Sequence, residues 1–370
     1  MKLIPVIILM VSLLWISCGR KSEGVLPDDQ IDDYLVASAE TQPVSQNKHA
    51  DAADDIAIWV APSSPDQSLI LGTDKKAGLA VYNLEGEKRC FFDVGRLNNV
   101  DIRTIYDGSR SNWSLAAASN RSTNSIIFFW ISPLGKVSLA EQMPFNSTMK
   151  EEVYGLTMGY EGGDLYVFVN TKAGEVMQWR VEIDSKNKVG GTVVRKLNMT
   201  AQVEGMVCDD DTGLCYIGEE EVGIYQFQIN PYRGDSPKLL KESSVEENQN
   251  IVMDIEGITI WKRDDNKKFL IASSQGNYSY AVFRLPENRY IGSFRVKSGD
   301  GIDSIEETDG LDITSAYLGE SYPEGVFVVQ DGFNRNLGKI EAQNFKIISN
   351  EPLRALVDRL VVESSGLKGM

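Results

Sequence analysis

The sequence predicts an all-β chain, a six-bladed β-propeller in preference to a β-sandwich. Three observations carry this. The body is built of short apolar runs such as Ser125-Ile-Ile-Phe-Phe-Trp130, Leu165-Tyr-Val-Phe-Val169 and Gly325-Val-Phe-Val-Val329, separated by Gly, Asp and Asn turns. A helical period is suggested only at the end, over Leu353 to Val362. A loose repeat, an apolar strand, a Gly turn and a strand of the Ala-Val-Tyr type, recurs near 69–82, 115–130, 165–181, 214–227, 269–283 and 325–347. Its spacing of roughly 45–60 residues is that of propeller blades. A long all-β chain avoids open edges by closing on itself or by radial repetition.

The elements follow in chain order. Lys2 precedes an apolar run from Leu3 to Ile16 that is too short to span a bilayer, so residues 1–17 read as a signal peptide. The run ends in Trp15-Ile-Ser-Cys18-Gly19, which resembles a lipoprotein processing site with Cys18 as the lipidated residue. The expected location is therefore the cell envelope, with membrane contact only through the lipid, or the exterior if cleavage leaves no lipid. Residues 18–47 are rich in Ser, Asp, Glu, Gln and Pro and read as a flexible tether. Residues 48–352 have no further composition break and read as one propeller domain, expected to be monomeric, with 353–370 as a C-terminal tail.

With 53 acidic and 37 basic residues the net charge is −16, which excludes nucleic acid as a natural partner. Four cysteines are too few for a disulfide scaffold. Cys208 and Cys215 flank a hairpin turn, where they either bridge or serve as two small buried hydrophobes. The acids collect at strand ends, in Asp51-Ala-Ala-Asp54-Asp55, Asn98-Asn-Val-Asp101, Glu204-Gly205, Glu219-Glu-Glu221, Asp254-Ile-Glu256-Gly257, Asp303, Asp309-Gly310 and Asp331-Gly332. Calcium takes six to eight oxygen ligands in irregular geometry, and a glycine beside an acid lets backbone approach closely. Zinc and copper want imidazole or thiolate, and the chain has one histidine, His49. Histidine-dependent phosphatases and Ser-His-Asp hydrolases are disfavoured for the same reason.

Cys90-Phe-Phe-Asp-Val-Gly-Arg96 has the spacing of a cysteine-phosphatase loop, but Asp93 would repel both thiolate and phosphate. The basic residues among the acids are more telling. Lys75, Lys76, Arg121 and Lys172 fall at strand ends, where charge-assisted hydrogen bonds to phosphate oxygens could form.

Together these segments resemble the β-propeller phytases. The resemblance is carried by Asp51-Ala-Ala-Asp-Asp-Ile-Ala-Ile-Trp59, Gly72-Thr-Asp-Lys-Lys-Ala-Gly-Leu-Ala-Val-Tyr82, Leu97-Asn-Asn-Val-Asp-Ile-Arg103, Ala117-Ala-Ser-Asn-Arg-Ser122 and Glu152-Val-Tyr-Gly155. It continues in Val203-Glu-Gly-Met206, Tyr216-Ile-Gly-Glu-Glu220, Asp254-Ile-Glu-Gly-Ile258, Ala272-Ser-Ser-Gln-Gly-Asn277, Thr308-Asp-Gly310 and Val328-Val-Gln-Asp-Gly332. It implies a calcium-dependent 3-phytase that hydrolyses phytate, with several Ca²⁺ ions at one end of the channel and a water between them attacking phosphorus. Tyr154, Glu204, Glu220, Asp254, Glu256, Gln275, Asp303 and Asp309 would surround the catalytic ions. Lys75, Lys76, Arg121 and Lys172 would hold phosphate, supported by Asn98, Asn99 and Asp101, while Asp55 and Asp331 would bind a stabilising ion. The chain departs from the family at Ile56, often proline there, and in the loop Gly299–Asp309, which bears on Asp303. The alternatives are a non-catalytic calcium-loaded propeller that captures phosphorylated ligands, and a lactonase-type propeller hydrolase.

Overall fold

The computed structural model describes residues 31–143, 149–234 and 236–366. The leader and Cys18 lie outside them. Six sheets, antiparallel except for one added edge strand, surround a channel, each contributing one inner strand to its wall: Ala53–Trp59, Leu97–Thr104, Val153–Glu161, Val203–Asp209, Ile255–Lys262 and Leu311–Thr314. Neighbouring inner strands touch in sequence order, and the sixth touches the first, so the ring is a six-bladed propeller.

Alternation along the strands builds the core between blades rather than within one sheet. Blades one and two share Trp59, Leu71, Val81, Val100 and Phe129, and blades five and six share Trp261, Phe269, Phe294, Phe327 and Val329. Each large side chain so buried contributes about 1.5–3 kcal/mol. Because both faces of each blade are covered, the strands read as nearly continuous apolar runs.

The segment 18–47 is not a free tether over its described part. Tyr34–Val36 pairs in parallel with the outer strand of blade five, Tyr34 opposite Arg295. Ala39–Glu40 supplies the outermost strand of blade six, Ala39 opposite Ile347. These short strands cover open sheet edges, an obligation of ring closure. Of their residues only Leu35 is buried, too little to give a readable alternation. Residues 350–366 form a docked helix rather than a tail. Leu353, Leu356, Val357 and Leu360, at i, i+3, i+4 and i+7, pack on blade five. A side chain at Gly292 would collide with Leu360 Cδ2, and its φ of +152° also favours glycine.

Cys208 and Cys215 stand opposite each other in blade four and are bonded, whereas Cys90 is exposed and free. A disulfide is the mark of an oxidising compartment. Among the described residues no helix is long and apolar enough to cross a membrane.

Candidate functional site

Five of the six inner strands carry the same irregularity at the same end. Between Ala53 and Ile56, Leu97 and Val100, Val153 and Leu156, Val203 and Met206, and Ile255 and Ile258, the inner strand holds one more residue than its partner. Such bulges re-aim side chains and cluster at active sites. The first extra-stretch residue of each is Asp54, Asn98, Tyr154, Glu204 and Glu256, and Asp309 precedes the sixth inner strand at the equivalent end. Six blades thus deliver six polar side chains to one channel mouth. The blades can close this tightly only because glycine follows several of them. A Cβ on Gly155 would lie 2.0 Å from the Glu204 carbonyl oxygen, and one on Gly205 would lie 1.9 Å from that of Glu256.

At the centre, Glu204, Glu220 and Glu256 are buried and each offers an oxygen within 4.8 Å of the others. Asn98 Nδ2 donates to Glu204 Oε1 at 2.7 Å, and Gln202 Nε2 to Glu220 Oε1 at 2.7 Å. Burial pushes the Glu220 carboxyl up to about 7 against the Gln202 hydrogen bond, with Glu204 and Asp254 adding to the rise. Burial, then Glu204, raises Glu256 well above the carboxylate range. Glu256 Oε2 and Asp54 Oδ2 are buried without hydrogen-bond partners. Crowded carboxylates with orphaned oxygens are poor neighbours unless a cation joins them. An all-oxygen donor set of this kind fits a hard divalent ion.

Beside the cluster, Lys75 Nζ lies 2.7 Å from Asp309, 2.8 Å from Asp51 and 3.2 Å from Asp54. Burial opposes its charge, but these three acids more than offset that and hold it protonated. Asp309 is pushed up to about 7 by burial, against the pull of Lys75, and also accepts from Gln275 Nε2 at 2.7 Å. Gln275 N bonds the carbonyl of Asp254, whose charge reaches Glu220.

On the other side, Tyr154 bonds Glu204, and burial followed by Glu204 and Glu256 keeps its hydroxyl protonated. Lys172 Nζ stands 4.2 Å from the Tyr154 ring centroid and the Arg121 guanidinium 5.6 Å from it. Arg121 Nη1 donates to Asn98 Oδ1 at 3.1 Å, while its Nε and Nη2 grip Glu152 at 2.9 and 2.6 Å. Glu152 also pairs with Arg96. Lys76 is exposed at the rim, and Asn99 braces Asn98 by accepting its Nδ2 at 3.0 Å.

Two residues expected at the mouth, Asp101 and Asp303, have their partners elsewhere. Asp101 lies deeper in the channel, where it accepts from Arg103 Nη1, Thr157 Oγ1 and Met158 N. Asp303 is not at the mouth, because the loop 299–309 carries it to Lys346, whose Nζ is 2.6 Å from Asp303 Oδ1 and 3.3 Å from Asp331 Oδ2. Of the pair expected at a stabilising ion, Asp55 accepts from Val100 N at 3.1 Å and Asp331 lies beside Lys346. Sequence reasoning in turn missed Asp54, Glu152 and Arg96. Asp54 was within reach, since it occupies the same position in its inner strand as Asn98, Tyr154, Glu204 and Glu256. Glu152 and Arg96 each stand just before an inner strand, a position that carries no composition signal.

Fold and site define a β-propeller whose channel mouth joins a buried carboxylate cluster, able to hold a metal ion, to a rim of lysine and arginine. Residues 3–364 match the sequence model of the family described as Phytase, and the chain belongs to that family. It is similar to the 3-phytase of Bacillus subtilis (strain 168), 39% identical over 326 residues that cover 86% of this chain and 84% of the relative. Among solved structures, the β-propeller domain of Myceliophteria thermophila Cps50 (Swd1) aligns with 80% of this chain and 83% of its own at 10% identity and a TM-score of 0.42. The assignment of the fold rests on the strand pairing itself.

Proposed function

We propose that this chain is a calcium-dependent phosphomonoesterase of the 3-phytase type, exported and held at the cell envelope by lipid on Cys18, acting as a monomer on phytate. The observation that supports it best is the junction of the Glu204, Glu220 and Glu256 carboxylates with Lys75, Arg121 and Lys172 at one mouth. Glu204, Glu220 and Glu256 would hold calcium, with Asp254, Asp309 and Gln275 completing the ligand set. An ion held by these residues would neutralise charge on the phosphoryl group and lower the pKa of a bound water.

The chain's own residues do the positioning. Lys172 and Arg121 approach from one side and Lys75 from the other, so a phosphate between them receives donors on several oxygens. Asn98 couples the two halves, since it donates to Glu204 and accepts from Arg121. Tyr154 holds Glu204 through its hydroxyl and carries Lys172 over its ring. Hydrolysis breaks the phosphorus–oxygen bond to the inositol ring, and water supplies the new oxygen and the proton for the departing alcohol. The reading is tested by phosphate release from phytate with calcium and with a chelator. Activity that persists after exhaustive chelation sinks it.

A further inference from the structure

At the opposite end of the propeller, a cavity of about 610 Å³ opens between blades two and three. The inner strand Leu97–Thr104 joins Asn98 at the mouth to this cavity's edge, a run of about 25 Å at the usual rise per residue. The cavity floor is apolar and aromatic, formed by Trp130, Tyr160 and Leu165. Tyr106 stands at the entrance, 68% exposed, with its ring centroid 5.7 Å from that of Tyr160. A large aromatic held in water beside a concave apolar floor marks a ligand surface.

The site is built rather than incidental. Tyr160 Oη donates to Thr104 O at 3.0 Å, and Ser109 Oγ to Asn187 Oδ1 at 2.7 Å, tying the loops of the two blades together. Trp130 Nε1 reaches Asn187 O at 3.3 Å, and the loop 105–113 is closed by Ile105 N to Trp113 O and Asn112 N to Ile105 O. A cavity fixed in this way loses little entropy on binding.

Charge selects the ligand class. Asp107, Asp164 and Asp184 line the cavity, so an anion is repelled and the phosphorylated substrate of the other face has no place here. Arg110 lines it too, its guanidinium fixed 4.3 and 4.6 Å from the Trp113 and Trp130 rings, and opposes a cation. A purely apolar ligand would strip water from the carboxylates and return no hydrogen bond. A polyhydroxylated ring meets every demand, since its C–H face covers a tyrosine ring and its hydroxyls donate to carboxylates, which only accept. We propose that this cavity is a second binding site, for a neutral saccharide, which leaves the catalytic mouth open when occupied.

Trp113 and Trp130 provide a native reporter. The full chain is titrated to 10 mM with chitohexaose and with cellohexaose while tryptophan emission and phytate hydrolysis are followed, and pull-down on insoluble chitin and cellulose separates a free from a surface-borne glycan. The expected result is a saturable emission change with at least one sugar, weakened at least tenfold in Tyr106→Ala and in Asp107→Ala, with phosphate release unaltered in both variants. Both substitutions are at exposed positions, so folding is preserved. A flat titration with both sugars overturns the proposal, as does a signal that survives both substitutions or is displaced by phytate.

Discussion

Replacing Lys346 with methionine tests how the ring is locked shut. The ammonium is fully buried and meets Glu40 at 2.5 Å, Asp303 at 2.6 Å, Asn334 at 3.1 Å and Asp331 at 3.3 Å. Glu40 belongs to the N-terminal closing strand, Asp303 to the loop after blade five, and Asp331 to the middle of blade six, so one cation joins three separate parts of the chain. Methionine fills a similar volume but leaves the Asp331 and Asp303 carboxylates facing each other, and breaking a buried pair from one side costs about 3–5 kcal/mol. That is on the order of a 10²- to 10⁴-fold loss in the folded-to-unfolded ratio. Glu40 is partly exposed, so Glu40→Gln is expected to cost only about 1 kcal/mol or less. Urea unfolding at neutral pH in chelator, followed by tryptophan emission and far-ultraviolet dichroism, measures both. A Lys346→Met loss below about 1 kcal/mol, or a loss equal to that of Glu40→Gln, would refute the idea that the ammonium bridges the closure.

Three further predictions concern the mouth and the channel. Gly205→Ala forces Cβ into the Glu256 carbonyl, so a stability loss of about 1–3 kcal/mol and at least a tenfold fall in phosphate release are expected; steady-state kinetics unchanged from wild type would contradict the bulge geometry. Calcium that binds only the folded chain should raise stability by about 2.7 kcal/mol per site at a hundredfold excess over Kd, and calorimetry with and without chelator reads it. Asp312 is pushed up to about 6, chiefly by burial, so the folded state retains its proton where the unfolded state has lost it. Its contribution to stability therefore falls as pH rises from about 4 to 6, and Asp312→Asn should gain on wild type by about 1–3 kcal/mol across that window in urea titrations.

Much of the mouth was legible because its chemistry is local. An acid followed by glycine at a strand start is visible in sequence, and Glu204-Gly205, Glu256-Gly257 and Asp309-Gly310 repeat it in successive blades. Lys75, Arg121 and Lys172 were legible for the same reason, each standing just after a strand. What the sequence could not express was which distant loops share a partner. Asp303 and Asp309 are six residues apart, yet one faces Lys346 and the other Lys75. The choice is made by the path of an irregular loop over blade six, not by residue type.

The ends of the chain mark the same division most clearly. By itself the sequence determined the β-rich body, the sixfold repeat, and the carboxylates and cations at strand ends, because alternation and turn chemistry act over a few residues. Only the tertiary structure decided that residues 34–40 complete two blades and that the last helix seals a third surface. An edge strand draws its stability from the sheet it joins, roughly three hundred residues away for Ala39 and Ile347. The mouth itself obeys that logic, since its six polar side chains converge only after the ring has closed.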